Sequence, residues 1–228
     1  GMDDGKLMTL HGRVGNTPAS KVVVSIDDKA PHRIHIRGRV DEKVFKFADY
    51  EAWTEISTEP GSLSLRVSDT LTNRSDYERE FQVIYHGNFG PPLLEEGSEF
   101  VGAVKQVTPF NAKAARDIAT WTTYLAPTEH FGEQVFNVIP LADATGMTTV
   151  MLQNKAANLG VRITYPVGEL PYFTLWKNTD TLKEGYVTGL EPGTGFAYTR
   201  RIERRSGRVP KLAAGASRSF TLDYTILP

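Results

Sequence analysis

Phe220-Thr221-Leu222-Asp223-Tyr224-Thr225-Ile226 alternates without a break: Phe220, Leu222, Tyr224 and Ile226 fall on one side of an extended chain, Thr221, Asp223 and Thr225 on the other. Successive side chains of a strand point to opposite faces, so a period of two marks a strand with one buried and one wet face. The same pattern recurs upstream. In His32-Arg33-Ile34-His35-Ile36-Arg37-Gly38-Arg39-Val40, Ile34, Ile36 and Val40 alternate with His35, Arg37 and Arg39, and over 62–67 Leu63, Leu65 and Val67 share a side. The β-branched run Lys21-Val22-Val23-Val24-Ser25-Ile26 closes on Asp27-Asp28. Glu80-Phe81-Gln82-Val83-Ile84-Tyr85-His86 reads as another strand, running into a turn rich in glycine and proline. Further strands are predicted over 100–107, 133–141, 148–153, 161–165 and 172–176. Only 111–124 invites a helix: Asn111 is a good N-cap and four alanines follow, but the end has strand propensity, which predicts a short one.

Many strands between turn signals, with almost no helix, make this an all-β chain, a sandwich or barrel. Antiparallel pairing is implied because crossover helices are missing. Neither a repeat period nor a low-complexity linker divides the sequence, so residues 1–228 read as a single domain. Gly1 before Met2 reads as a cloning remnant.

Composition removes several function classes. The chain has no cysteine, which excludes a disulfide framework, a thiolate nucleophile and cysteine-based metal sites. Its 26 Lys+Arg against 27 Asp+Glu leave a net charge of −1, with no general pull towards nucleic acid or anionic lipid. No apolar run approaches membrane-spanning length and no signal-peptide core is present, so a cytoplasmic location is the default expectation. The five histidines show no clustered ligand spacing, and no metal is expected.

Acid–base chemistry therefore falls to histidines and carboxylates. Gly185-Tyr186-Val187-Thr188-Gly189-Leu190-Glu191-Pro192-Gly193-Thr194-Gly195 places Glu191 at the end of a short strand-like run, beside a glycine-rich loop. Pro192 pushes Glu191 towards extended geometry, and the glycines allow tight turns and close backbone approach. The loop lacks the Lys-Ser/Thr pair of a P-loop, and no helix is predicted to follow as a phosphate cradle requires. His86 has the same strand-end setting before Gly87-Asn88-Phe89-Gly90, and His11 lies in the glycine-punctuated turn Leu10-His11-Gly12-Arg13. Trp176, beside Lys177, offers an indole face to the C–H side of a sugar or simply fills the core. Arg200, Arg201, Arg204, Arg205 and Arg208 surround Glu203, either as a solvated face with local ion pairs or as a contact for an acidic or phosphorylated ligand.

Three of these segments together resemble the aldose 1-epimerases, or galactose mutarotases. The strand ending in His86 with its Asn/Phe turn is similar to one that supplies a family histidine. Thr188-Gly189-Leu190-Glu191-Pro192 looks like the late strand carrying the family's catalytic glutamate, and Leu10-His11-Gly12 like the turn supplying a second histidine. The run GLEPGTG…RR followed by GRVPKLAAGASRSFTLDYTI resembles a little-characterised branch of that superfamily, a domain of unknown function. The resemblance implies a β-supersandwich of antiparallel sheets with few short helices, monomeric or homodimeric. It also implies binding of a monosaccharide or sugar derivative in a groove, with no cofactor. Glu191 would be the general base on the anomeric hydroxyl, His86 the acid at the ring oxygen and His11 an assisting group.

Family members are longer at the N-terminus, where they supply a sugar-contacting arginine. That arginine has no matched position here, so Arg13, Arg37 and Lys177 are the candidates to replace it. Asp143, in Pro140-Leu141-Ala142-Asp143, is the candidate for the aspartate that grips sugar hydroxyls, and Trp176 for a stacking wall. Two rival functions accompany this reading: a carbohydrate-binding or sensing protein without turnover, and a purely structural β-sandwich.

Overall fold

The alternation over 220–226 is realised as an 11-residue strand, Ser217–Leu227, with Phe220 and Leu222 buried. In the computed structural model, which describes residues 1–228, strands dominate and pair antiparallel. The chain divides into two compact units, residues 1–82 with 198–223, and residues 83–197 with 224–228. No helix is long and apolar enough to cross a membrane.

The first unit is built on an antiparallel meander of Lys21–Ile26, Ile34–Val44, Ala48–Thr58 and Ser64–Asn73. Its register aligns Val24, Ile36, Ile56 and Val67 in one row, as the period-two pattern requires. At one end the sheet is closed by the buried Tyr50, whose hydroxyl donates to the Glu80 carbonyl (2.8 Å), and by buried Asn73. Towards the other end Val22, Val24, Ile26, Ile36 and Ile56 stay exposed, so strand periodicity here does not translate into burial. The arginine-rich run, expected as loop, holds a short helix, Arg200–Arg205. Arg204 bridges Asp3 and Glu80, and Arg208 grips the fully buried Glu203 through two 2.7 Å hydrogen bonds. Local ion pairing thus accounts for these two arginines.

The second unit carries a five-stranded antiparallel sheet in the order Val104–Pro109, Gln134–Pro140, Tyr172–Thr179, Tyr186–Gly193, Gly87–Phe89. Glu99–Gly102, Met147–Gln153 and Gly160–Pro166 form a second antiparallel set. Phe136, Val138, Phe173, Leu175 and Leu190 of the first and Phe100, Val150, Leu152, Ile163 and Tyr165 of the second are all buried, and the Phe100 and Phe173 ring centroids lie 5.4 Å apart. Full burial of such side chains stabilises by about 1.5–3 kcal/mol each.

Several expected boundaries shift. Of 80–86 only Arg79–Glu80 forms a ladder, with Lys211–Leu212; farther on, Ile84 makes a single bridge to Gly193. The turn-like Gly87–Phe89 is instead a strand on Thr188–Leu190. Its pairing is a backbone event: a Cβ on Gly87 would sit 3.3 Å from the Leu190 carbonyl, so glycine here permits close approach rather than a turn. The run 100–107 is split at Ala103 between two strands belonging to different sheets. The predicted short helix is Ala112–Arg116, where Asn111 caps by accepting from the Ala114 N–H at 2.8 Å.

Candidate active site

The strand Tyr186–Gly193 does not stop at Thr188 but continues through Glu191, Pro192 and Gly193. Proline in a strand loses a ladder donor unless that side is unpaired. The Pro192 carbonyl accepts from the Tyr85 N–H at 2.9 Å, so the side lacking its own N–H also faces Tyr85, away from the Tyr172–Thr179 ladder. The strand is therefore intact where it pairs Thr174 with Glu191 and Trp176 with Gly189. Directly opposed residues share a face. Trp176, Thr174, Gly189 and Glu191 thus lie on one face, with Asn88 opposite Gly189 and Asn137 opposite Thr174. Phe173, Leu175 and Leu190 occupy the other face, in the core.

His86 meets this face at Glu191. Its Nε2 stands 3.1 Å from Glu191 Oε1, an ion-pair distance, and the side-chain exposures are 33% for His86 and 4% for Glu191. The approach is off the line of a hydrogen bond, so Oε1 is buried without one. Burial pushes the Glu191 carboxyl from the usual 4.5 up to about 8. The imidazole is held edge-on against Trp176, with ring centroids 5.8 Å apart at 61°. Opposite Glu191, Thr174 is 1% exposed, and its hydroxyl is buried and makes no hydrogen bond. Leaving a buried polar group unsatisfied costs about 1–3 kcal/mol, so such groups concentrate where something else is to be bound. The arrangement is an acid–base pair at the boundary between core and solvent, flanked by an indole and an unsatisfied hydroxyl, with the groups needed to exchange protons with a ligand that reaches it.

The model of a domain of unknown function, DUF4432, matches residues 1–226. The chain belongs to the DUF4432 family. No curated protein matches it. Among solved structures, a Klebsiella pneumoniae protein provisionally named an aldose 1-epimerase is 50% identical with a TM-score of 0.97, over 99% of this chain and 59% of that one. The DUF4432 chain described here thus spans 59% of the length of its Klebsiella relative. A galactose mutarotase-like protein from Clostridium acetobutylicum is 14% identical (TM-score 0.64, 95% of this chain, 68% of that one). A galactose mutarotase related enzyme from Lactobacillus acidophilus is 16% identical (TM-score 0.66, 99% and 77%). At those identities the likeness is one of fold: the DUF4432 chain has the galactose mutarotase-like all-β architecture.

Of the residues singled out in the DUF4432 sequence, the structure brings Glu191, His86 and Trp176 together. His11 belongs to the first unit, in an exposed turn closed by the Gly12 N–H on the Thr9 carbonyl. In the same unit, Arg13 is paired with Glu42 (2.8 Å), and Arg37 lies over the Trp53 ring (4.7 Å). Asp143 folds its own turn, accepting from the Thr145 N–H and hydroxyl and the Met147 N–H. Thr174 and Asn137 lie outside the sequence-based expectations; register places both on this face, Thr174 opposite Glu191 and Asn137 opposite Thr174. No group of three or more His, Asp or Glu side chains is arranged to hold a metal ion.

Lys177, next to Trp176, necessarily points to the opposite face. It is 2% exposed, donates to the Thr123 carbonyl (2.7 Å) and lies over the Tyr124 ring (4.4 Å). Burial pushes its ammonium from 10.5 down to about 7. Between those values the unfolded chain holds more protons than the folded one, so this residue makes stability rise with pH across about 7 to 10.5. Lys177→Met is expected to stabilise the protein by about 2 kcal/mol below neutrality, with the gain vanishing above the upper value. Urea unfolding at both ends of the window checks this; equal destabilisation at both ends would show that the Thr123 hydrogen bond dominates.

Proposed function

We propose that this protein binds a monosaccharide over the sheet face carrying Glu191 and interconverts its anomers by acid–base ring opening. The observation that carries the proposal is the 3.1 Å pairing of a solvent-reachable imidazole with a buried carboxyl. Opening a cyclic hemiacetal requires proton removal from the anomeric hydroxyl and proton delivery to the ring oxygen. Both oxygens are attached to the same carbon, so the two groups serving them must also lie close together, as these do.

The working state is the ion pair, with Glu191 ionised and His86 protonated, reached when the carboxyl proton passes to the imidazole. Glu191 accepts the hydroxyl proton as the C1–O5 bond breaks, and His86 gives its proton to O5; the product is an open-chain aldehyde. Rotation about C1–C2 presents the other carbonyl face. Closure reverses the transfers: Glu191 returns its proton to O1, His86 takes one back from O5, and the pair is restored. A carboxyl held near 8 is a stronger base than an ordinary glutamate. Trp176 walls the site beside His86.

Polarimetry on a panel of freshly dissolved aldoses tests the proposal. Wild type is expected to accelerate at least one saturably, and His86→Ala to lower kcat by about 100-fold. Sugar-dependent thermal stabilisation without acceleration would point to a binding protein instead. Neither effect with any sugar would sink the carbohydrate reading altogether.

A further inference from the structure

Gly189 sits in the interior of a strand, where glycine costs about 0.5–1 kcal/mol relative to alanine unless something needs the missing side chain. Its backbone is not in the left-handed region, so no turn demands it. What occupies the space is Glu191. A Cβ built on Gly189 would lie 2.2 Å from Glu191 Oε1, 3.1 Å from Cδ and 3.3 Å from Cγ. The glutamate side chain therefore folds back along its own strand and lies over the residue two positions earlier, on the same face. Asn88 and Trp176, directly opposite Gly189 on the two neighbouring strands, flank that spot.

Two other glycines of the unit show what is special here. A Cβ on Gly193 would meet Ile84 Cγ1 at 2.9 Å and two backbone carbonyls at 3.0 Å, and one on Gly87 the Leu190 carbonyl at 3.3 Å. Those positions are closed by the fold itself. At Gly189 the three nearest atoms all belong to the movable end of one side chain. A methyl group there is compatible with the strand but not with the place the carboxyl occupies.

We propose that Gly189 is a positioning residue, its missing Cβ forming the seat that holds the Glu191 carboxyl against the imidazole of His86. Its consequence for turnover rests on the anomer-interconversion reading; its consequence for the carboxyl does not. Gly189→Ala displaces the carboxyl out of its buried seat and away from His86. A misplacement of about 1 Å at a reacting group costs about 100-fold in rate.

The test uses protein labelled with 13C at glutamate Cδ. In wild type, one carboxyl resonance that is missing from Glu191→Gln is expected to titrate near 8. In Gly189→Ala it is expected to titrate close to the ordinary 4.5. Alongside, kcat for anomer interconversion falls about 100-fold while KM changes a few-fold at most. A Glu191 carboxyl still titrating near 8 in folded Gly189→Ala overturns the proposal, whatever the activity. A shifted titration in a protein whose wild type moves no sugar keeps the seat and removes the catalytic reading. If Gly189→Ala fails to fold, the double substitution Gly189→Ala/Glu191→Ala decides: it folds as Glu191→Ala does if the clash is with the glutamate. A double variant that is unfolded as well contradicts the proposal.

Discussion

Glu191→Gln is expected to reduce anomer interconversion by about 1000-fold in kcat, and at the same time to make the protein harder to unfold above pH 7. Glutamine keeps the size of the side chain and can still hydrogen-bond a sugar, but it cannot accept the anomeric proton. Binding should therefore survive where catalysis does not. The stability gain follows from linkage. The folded carboxyl keeps its proton up to about 8, whereas in the unfolded chain it ionises near 4.5. Between those values the folded state holds more protons, so stability falls as pH rises, and the full cost of burying this group is present only above about 8. That cost is roughly 3–5 kcal/mol, of which Glu191→Gln relieves the ionisation part. Urea unfolding of both proteins across pH 4.5 to 8.5 reads it directly: the curves should converge at the acid end and separate towards the alkaline end. Parallel curves would mean that the carboxyl is not held neutral by burial. A site group that costs stability fits a residue kept for what it does to a ligand.

The second large effect concerns the first unit. Arg208→Ala is expected to destabilise the protein by about 3–5 kcal/mol, because it leaves the fully buried Glu203 carboxylate without its two-fold partner. Glu203→Leu/Arg208→Met, which removes both charges, should recover most of that loss. By contrast, Arg201→Ala, an exposed position of the same basic run, should change stability by less than about 0.5 kcal/mol. Denaturant midpoints of the three variants check the set. A double variant as unstable as Arg208→Ala would mean that the packing of the arginine stem, rather than ion pairing, holds the segment.

What could be read in the sequence was what side chains encode. Phe220 through Ile226 and Ile34 through Val40 announce strands because alternation is a side-chain property. What could not be read was carried by the backbone: Gly87–Phe89 pairs as a strand although its composition is that of a turn, and Tyr186–Gly193 runs through a proline whose missing donor faces away from the ladder it belongs to. The helix Arg200–Arg205 left no trace because a polar, arginine-rich turn and a half has no apolar period to detect. For the site, the motifs single out Glu191 and His86 as candidates. The distance between them, and the reason Gly189 precedes Glu191 by two, became visible only when the strand was seen to carry the carboxyl back over the glycine. Thr174 needed the register, since nothing local distinguishes it from a surface threonine until it is found opposite Glu191.

The most direct test of the account is exchange NMR between the α and β signals of an equilibrated aldose, with catalytic amounts of wild type and of His86→Asn/Glu191→Gln. The account predicts magnetisation transfer between anomers with wild type and none above the uncatalysed rate with the double variant, while both proteins are folded. Equal transfer with both proteins, or none with wild type for any aldose that it binds, would contradict the role assigned to the His86–Glu191 pair.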